Sequence, residues 1–172
     1  MVSHAPPTGE NIDIFYALLS DTLDRNHFSG NSRAYYEALL LARTAAGEGL
    51  YFASYEGEVI AAAILVIEGN TAVYYYGAST SDNVLRAHMP AYLLQWEMMR
   101  SAQALGVKWY DFLGIAPLAD PESHLTSVSE FKAKFGGQIY EAPAKYQLVL
   151  KPWILRIYEL VRAVKRIFSR RH

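Results

Sequence analysis

Apolar residues at Ile12, Phe15, Leu18, Leu19 and Leu23 follow a three-and-four spacing, which predicts a helix over 8–28 with Thr8 or Asn11 as its cap. A second helix is expected over 32–46, with Ser32 as a candidate cap and Gly47 near its end. The pattern then changes. Apolar runs meet at "EGE" and again at "EGN", both hairpin signals, so three antiparallel strands are predicted near 50–55, 58–68 and 71–78. "PAYLLQWEMMRSAQALG" restores the helical period, opening on Pro90 and closing on Gly106. A strand over 107–113 follows. Ser127 and Glu130 have capping-box spacing for a helix through Phe135, with Gly136 as a left-handed stop. "IYEAPAKYQLVL" reads as a strand pair broken at Pro143, and the chain closes on a helix. The predicted order is α-α-β-β-β-α-β-α-β-β-α: an α/β (α+β) fold with a mixed, mostly antiparallel sheet flanked by helices.

At 172 residues, one domain is expected over 1–150, followed by a distinct helix over 151–172. The tail holds seven Lys/Arg against one acid, Glu159, whereas residues 1–150 hold nine basic residues against sixteen acids. The net charge of −1 therefore hides an acidic body and a basic tail. On a helical wheel Trp153, Ile157, Leu160, Val161, Val164 and Phe168 share one face, and Arg162, Lys165, Arg166 and Arg170 the other. Such a helix suits the headgroup plane of an anionic membrane, packing on its own domain or a partner, or contact with nucleic-acid phosphates.

Several chemistries are excluded. With no cysteine there is no disulfide scaffold, thiolate zinc site or cysteine nucleophile. The five histidines lack ligand-pair spacing, so no metal is expected. No phosphate-binding G-x-x-x-x-G-K, G-x-G-x-x-G or nucleophilic G-x-S-x-G motif occurs. "MVSHAPPTGEN" has no apolar h-region and no run is long enough to span a bilayer, so a cytoplasmic location is expected.

What remains is a set of polar residues at element ends. Phe131 and Phe135, four apart, should anchor one helix face and leave Lys132 to project about a quarter-turn away. Lys132 is a candidate oxyanion donor or an ordinary surface lysine. Asp111 ends an apolar strand after Trp109 and Tyr110, as a candidate base or a structural acid. Gly114 permits close backbone approach or an unusual turn. Strict alternation puts Tyr74 and Tyr76 on one face and Tyr75 on the other, as pocket lining or strand packing. Arg86 and His88 precede the Pro90 helix, where they and its N-terminus are candidates to hold a phosphate.

The element order resembles the acyltransferase fold of the Gcn5-related (GNAT) type, in which a helix N-terminus faces a gap between splayed strands. "ASTSDNVLRAHMPA" lacks the glycine-rich pyrophosphate loop of coenzyme-A users, which counts against acetyl-CoA as donor. The segments "SDTLDRNHF", "YYEALL", "AVYYYGAST", "YDFLGIA" and "FKAKFGG", in that order, are similar to the C-terminal GNAT-like domain of the Fem (FemAB/FemX) peptidoglycan aminoacyltransferases. That resemblance implies transfer of an amino acid from aminoacyl-tRNA to a stem-peptide amine of a nucleotide- or lipid-linked peptidoglycan precursor, with no cofactor. It implies that Lys132 stabilises developing charge and that Asp111 and Tyr110 shape the peptide channel; Lys132 and Asp111 are thus the catalytic candidates, with Tyr110, Gly114, Tyr74, Tyr76, Arg86 and Phe131 as substrate-binding candidates. Complete members carry two such domains, so a homodimer or a second GNAT-like domain is implied as partner. Peripheral contact with the inner membrane face through 152–172 fits lipid-linked precursors. An acyl-CoA-dependent N-acyltransferase and a non-catalytic precursor-binding module are the alternatives.

Overall fold

The computed structural model describes residues 1–43, 45–117, 123, 125–141 and 148–169, with side chains of the last helix described through Arg162. The elements are β1 (Val2–Ala5), α1 (Gly9–Asn26), α2 (Arg33–Leu41), β2 (Gly49–Tyr55), β3 (Glu58–Glu68), β4 (Thr71–Ser79), α3 (Asn83–Arg86), α4 (Pro90–Ala104), β5 (Trp109–Asp111), α5 (Thr126–Ala133) and α6 (Pro152–Ser169). Two compact units result, 1–136 and 137–172.

The first unit is one sheet in the order β1-β2-β3-β4-β5. All pairings are antiparallel except β4 with β5, which is parallel. β3 is central, and its run Ile60–Val66 is buried without interruption because both faces of the strand are covered. On one face Leu50, Phe52, Ala62, Ile64 and Val66 meet Ile12, Phe15, Leu18 and Leu19 of α1 and Tyr36 and Leu40 of α2. On the other, Tyr51, Ala53, Ala61, Ala63, Leu65 and Ala72 meet Leu94, Met98 and Ala102 of α4. Alanines dominate the second face, so α4 has room to lie close against the strands. Burying Leu94 or Met98 there contributes roughly 1.5–3 kcal/mol each.

The turns follow their sequences. Glu56 and Gly57 both take positive φ, as a primed two-residue hairpin requires, and Gly69 takes positive φ at the first position of the next. The Thr8 hydroxyl accepts from Asn11 N at α1, Pro90 opens α4, and Gly106 closes it at φ +80.

Other expectations need correction. β1 was not foreseen; it adds an edge strand to β2. The 107–113 strand shrinks to Trp109–Asp111, because Lys108 and Trp109 donate instead to the carbonyl of Asn70 and Leu113 turns left-handed. The second helix ends at Leu41, well before Gly47. Ser127 lies inside α5, whose N-cap is Leu125 without a side-chain bond, so the capping box does not form. Of the strand pair expected around Pro143, residues 142–147 lie outside the described residues; their described flanks are not strand.

Glu48 is a buried acid the pattern gave no reason to expect. Its carboxylate accepts from Ile67 N at 2.7 Å and Ala45 N at 3.3 Å, and lies 3.6 Å from Arg43. It thereby ties the loop before β2 to the end of β3.

In the second unit, α6 runs as an uninterrupted helix of 18 residues. The described part of its apolar stripe is uncovered within this unit, with Trp153 and Leu160 both more than 60% exposed. Arg170 lies outside the described residues. Among the described residues no helix is long and apolar enough to cross a membrane.

Candidate functional site

β4 and β5 pair only over Thr71–Val73 and Trp109–Asp111. Beyond Val73, β4 continues to Ser79 with no strand on that side among the described residues. The splay opens a cleft of about 850 Å3 between β4, the end of α1, the start of α4, and α5.

The wall formed by β4 does not follow simple alternation. Ile64 pairs with Tyr76 and Leu65 with Tyr74, so Tyr75 is an extra residue, a β-bulge. The bulge shifts the phase, and Tyr74 and Tyr76 fall on opposite sides of the sheet: Tyr76 joins the α1/α2 core and Tyr74 the α4 core. The expectation that they share a face is therefore overturned, although both border the cleft together with Tyr75.

Tyr74 is half-buried at the cleft wall, and desolvation pushes its hydroxyl up to about 12, partly offset by a hydrogen bond with Gln95. Tyr110 donates to Gln95 Oε1 at 2.6 Å; burial, then the neighbouring Tyr74 and Tyr51, push its hydroxyl up as well. Gln95 is 1% exposed, so one buried amide joins Tyr74 of the cleft wall to Tyr110, which does not line the cleft. Tyr76 donates to Tyr35 at 3.4 Å and accepts from Asn31 Nδ2 at 3.4 Å; burial and neighbouring tyrosines push it up too.

α5 is held by an aromatic column. Phe131 and Phe135 pack on Tyr92 of α4 with ring centroids 5.0 and 5.6 Å apart, and Phe135 stacks on Phe112 at 5.1 Å. The expected Phe131/Phe135 anchor therefore exists, and it carries Lys132 to the cleft wall. The Lys132 ammonium donates to the Gly114 carbonyl at 2.6 Å. Desolvation lowers its proton affinity, and the Asp111 charge pulls it back up. An ammonium has three hydrogens, so this one bond leaves two for a ligand.

The remaining expected residues are placed differently. Asp111 Oδ1 accepts from Leu113 N at 2.7 Å, closing the turn after β5, and Asp111 does not line the cleft. Positive φ falls on Leu113, not Gly114, whose role here is to offer its carbonyl to Lys132. Tyr110 lies beneath the cleft. Arg86 borders it beside the start of α4, whereas the His88 ring stacks on Tyr55 at 4.0 Å.

Sequence reasoning missed Gln95 and Arg25. Gln95 was detectable as a polar residue within the buried stripe Leu94, Met98, Ala102. Arg25 gave no signal. Its guanidinium donates to the carbonyls of Ser79 and Thr80 and to the Ser81 hydroxyl, at 3.2, 3.3 and 2.8 Å. Among the described residues no cluster of His, Cys, Asp or Glu suits a metal ion.

A sheet splayed between β4 and β5, with a helix N-terminus at the gap, defines the acyltransferase fold of the GNAT type. Solved structures agree. FemX superposes with a TM-score of 0.67 at 18% identity, over 77% of this chain and 48% of its own. A putative acetyltransferase from Agrobacterium tumefaciens does so at 0.59 and 16%, over 86% and 99%. The FemAB family model matches residues 42–165, and the chain belongs to that family. It is 34% identical over 110 residues to the lipid II:glycine glycyltransferase of Staphylococcus epidermidis, covering 64% of this chain and 25% of the relative. The enzyme of the same name from Staphylococcus haemolyticus is 32% identical over 109 residues, covering 63% and 25%. The chain thus spans about a quarter of the length of these curated relatives.

Proposed function

We propose that this chain supplies the acyl-transfer site of a peptidoglycan aminoacyltransferase, moving an amino acid from aminoacyl-tRNA onto a stem-peptide amine. The observation that carries this reading is Lys132, held by the Phe131/Phe135 column at a cleft between splayed strands, with ammonium hydrogens to spare. The names of the lipid II:glycine glycyltransferase relatives support the precursor class.

The free amine attacks the ester carbonyl of the aminoacyl group, forming the new C–N bond and a tetrahedral oxyanion. The Lys132 ammonium donates to that oxygen as charge develops. Collapse breaks the ester C–O bond; the amine's proton passes to the departing ribose oxygen, leaving an amide and tRNA. Asp111 acts through Lys132, keeping the lysine charged against the cost of its burial. Tyr74 and Tyr76 shape the two sides of the channel, with Tyr110 under Tyr74 through Gln95.

A partner half, from a second GNAT-like domain or a second copy, completes the precursor site. The basic, amphipathic α6 docks on the anionic inner leaflet where lipid-linked precursor resides, each basic residue contributing about 1 kcal/mol near such a surface. Co-sedimentation with anionic vesicles, lost on deleting 152–172, tests the docking; equal recovery in the supernatant with and without those vesicles rejects it.

The transfer is tested with charged tRNA and a precursor bearing a free stem-peptide amine, with and without a candidate partner half. Formation of the aminoacylated precursor is expected. Failure in every combination, together with micromolar acetyl-CoA binding by calorimetry, supports an acyl-CoA enzyme instead. Precursor binding with no reaction from either donor leaves a binding module.

A further inference from the structure

The cleft wall has a charge composition that the rest of its domain does not share. Over residues 1–150 acids outnumber Lys and Arg sixteen to nine. Yet among the described residues the cleft is lined by Arg25, Arg86 and Lys132 and by no carboxylate at all. In an acidic body, a wall with three cations and no acid is built for an anion.

Lys132 already spends a bond on the Gly114 carbonyl. The two arginines sit together on another part of the wall. Arg25 is fixed from both sides: it donates to Ser79 and Thr80 carbonyls and the Ser81 hydroxyl on the end of β4, and to the Thr22 hydroxyl on its own helix. All these acceptors are neutral, and no carboxylate lies within ion-pair distance among the described residues, so the guanidinium keeps its full charge. Arg86 rides on α3, whose start is capped by Asp82 through Val84 N and Leu85 N. Arg86 is exposed, and its guanidinium has no hydrogen-bond or ion-pair partner among the described residues. The two guanidinium groups repel each other across the gap. Asp21 and Asp24 line the neighbouring groove with both arginines, but not the cleft, and Asp21 offsets only part of the repulsion. Two like charges brought to one wall from α1 and α3, one of them otherwise unpartnered, are relieved by an anion placed between them.

We infer that Arg25 and Arg86 form a seat for a phosphate group within the cleft that holds Lys132. Arg25 is the preorganised half, and Arg86 closes on the ligand. On the transfer reading, this phosphate belongs either to the RNA leaving group or to the diphosphate of a nucleotide-linked precursor. The seat itself needs neither reading.

The probe is inorganic pyrophosphate, titrated into the full chain by calorimetry at low and high salt. Saturable binding that weakens with salt is expected. Arg86→Ala should weaken it by about tenfold or more, the value of a charge-assisted contact. Arg86→Glu should abolish it, and Arg25→Lys should weaken it with an unchanged circular dichroism spectrum. Arg100→Ala, on the exposed side of α4, should leave it within twofold. No binding by the natural chain overturns the inference; so does equal binding by Arg86→Ala, or loss in Arg100→Ala as large as in Arg86→Ala. Competition by uridine diphosphate against a CCA trinucleotide then identifies the source of the phosphate, and competition by neither rejects both sources. Arg86-dependent pyrophosphate binding without any aminoacyl transfer keeps the seat and rejects the transfer reading; transfer without that binding does the reverse.

Discussion

Gly77 on β4 is the position where the cleft wall tolerates least. A Cβ built there falls 2.8 Å from Tyr74 Cε2 and closer still to Cζ and the hydroxyl. The Gly77 backbone is not left-handed, so alanine costs nothing in φ, and the whole effect of Gly77→Ala is steric. Tyr74 borders the cleft, and its ring can swing toward that space only by giving up its bond to Gln95. Moving the ring costs roughly 1–3 kcal/mol in overpacking and about 1–3 kcal/mol more where a buried hydroxyl loses its partner. The expected destabilisation is therefore ~2–5 kcal/mol, read from urea midpoints at constant m. A double-mutant cycle isolates the cause: in a Tyr74→Ala background the added methyl should cost under ~0.5 kcal/mol. A Gly77→Ala loss below ~0.5 kcal/mol in the natural background, or the same loss in both backgrounds, would refute the argument that Tyr74 is pinned against Gly77.

Three further outcomes follow from the same packing. Gln95→Leu strands two buried tyrosine hydroxyls and should cost ~1–3 kcal/mol in urea unfolding, with part recovered when Tyr110→Phe is added. Glu48→Ala leaves the amides of Ala45 and Ile67 without their acceptor and should cost ~2–4 kcal/mol by the same measurement. Burial lowers the Lys132 pKa below 10.5, so just below that pH the unfolded chain binds more protons than the folded one. Stability measured against Lys132→Met should therefore rise with pH as 10.5 is approached from below; a flat difference contradicts the desolvation.

The legible parts of this fold were those set by local chemistry. β3 announced itself as a continuous apolar run, both hairpins carried a glycine where positive φ is needed, and Pro90 and Gly106 bounded α4. Phe131 and Phe135 forecast the anchored face of α5 and hence the reach of Lys132 to the wall. The parts that were not legible depend on distant partners. Period-two reasoning assumes one residue per pleat, and the extra residue at Tyr75 is visible only once β3 is laid against β4. The left-handed residue after β5 is Leu113 rather than the available glycine, held by a bond from its own amide to the Asp111 carboxylate that composition alone does not announce. Arg25 joined the site because α1 happens to end beside Ser79 and Thr80, more than fifty positions along the chain.

The central claim is that Lys132 stabilises charge that appears only as the acyl group moves. The most direct measurement is the single-turnover rate of aminoacyl transfer at saturating substrates, compared for the natural chain and Lys132→Ala, with substrate affinities measured separately. The account predicts a rate constant lower by about 10²–10³, the value of one oxyanion contact, with affinities nearly unchanged. An unchanged rate constant, or a loss confined to affinity, would contradict it.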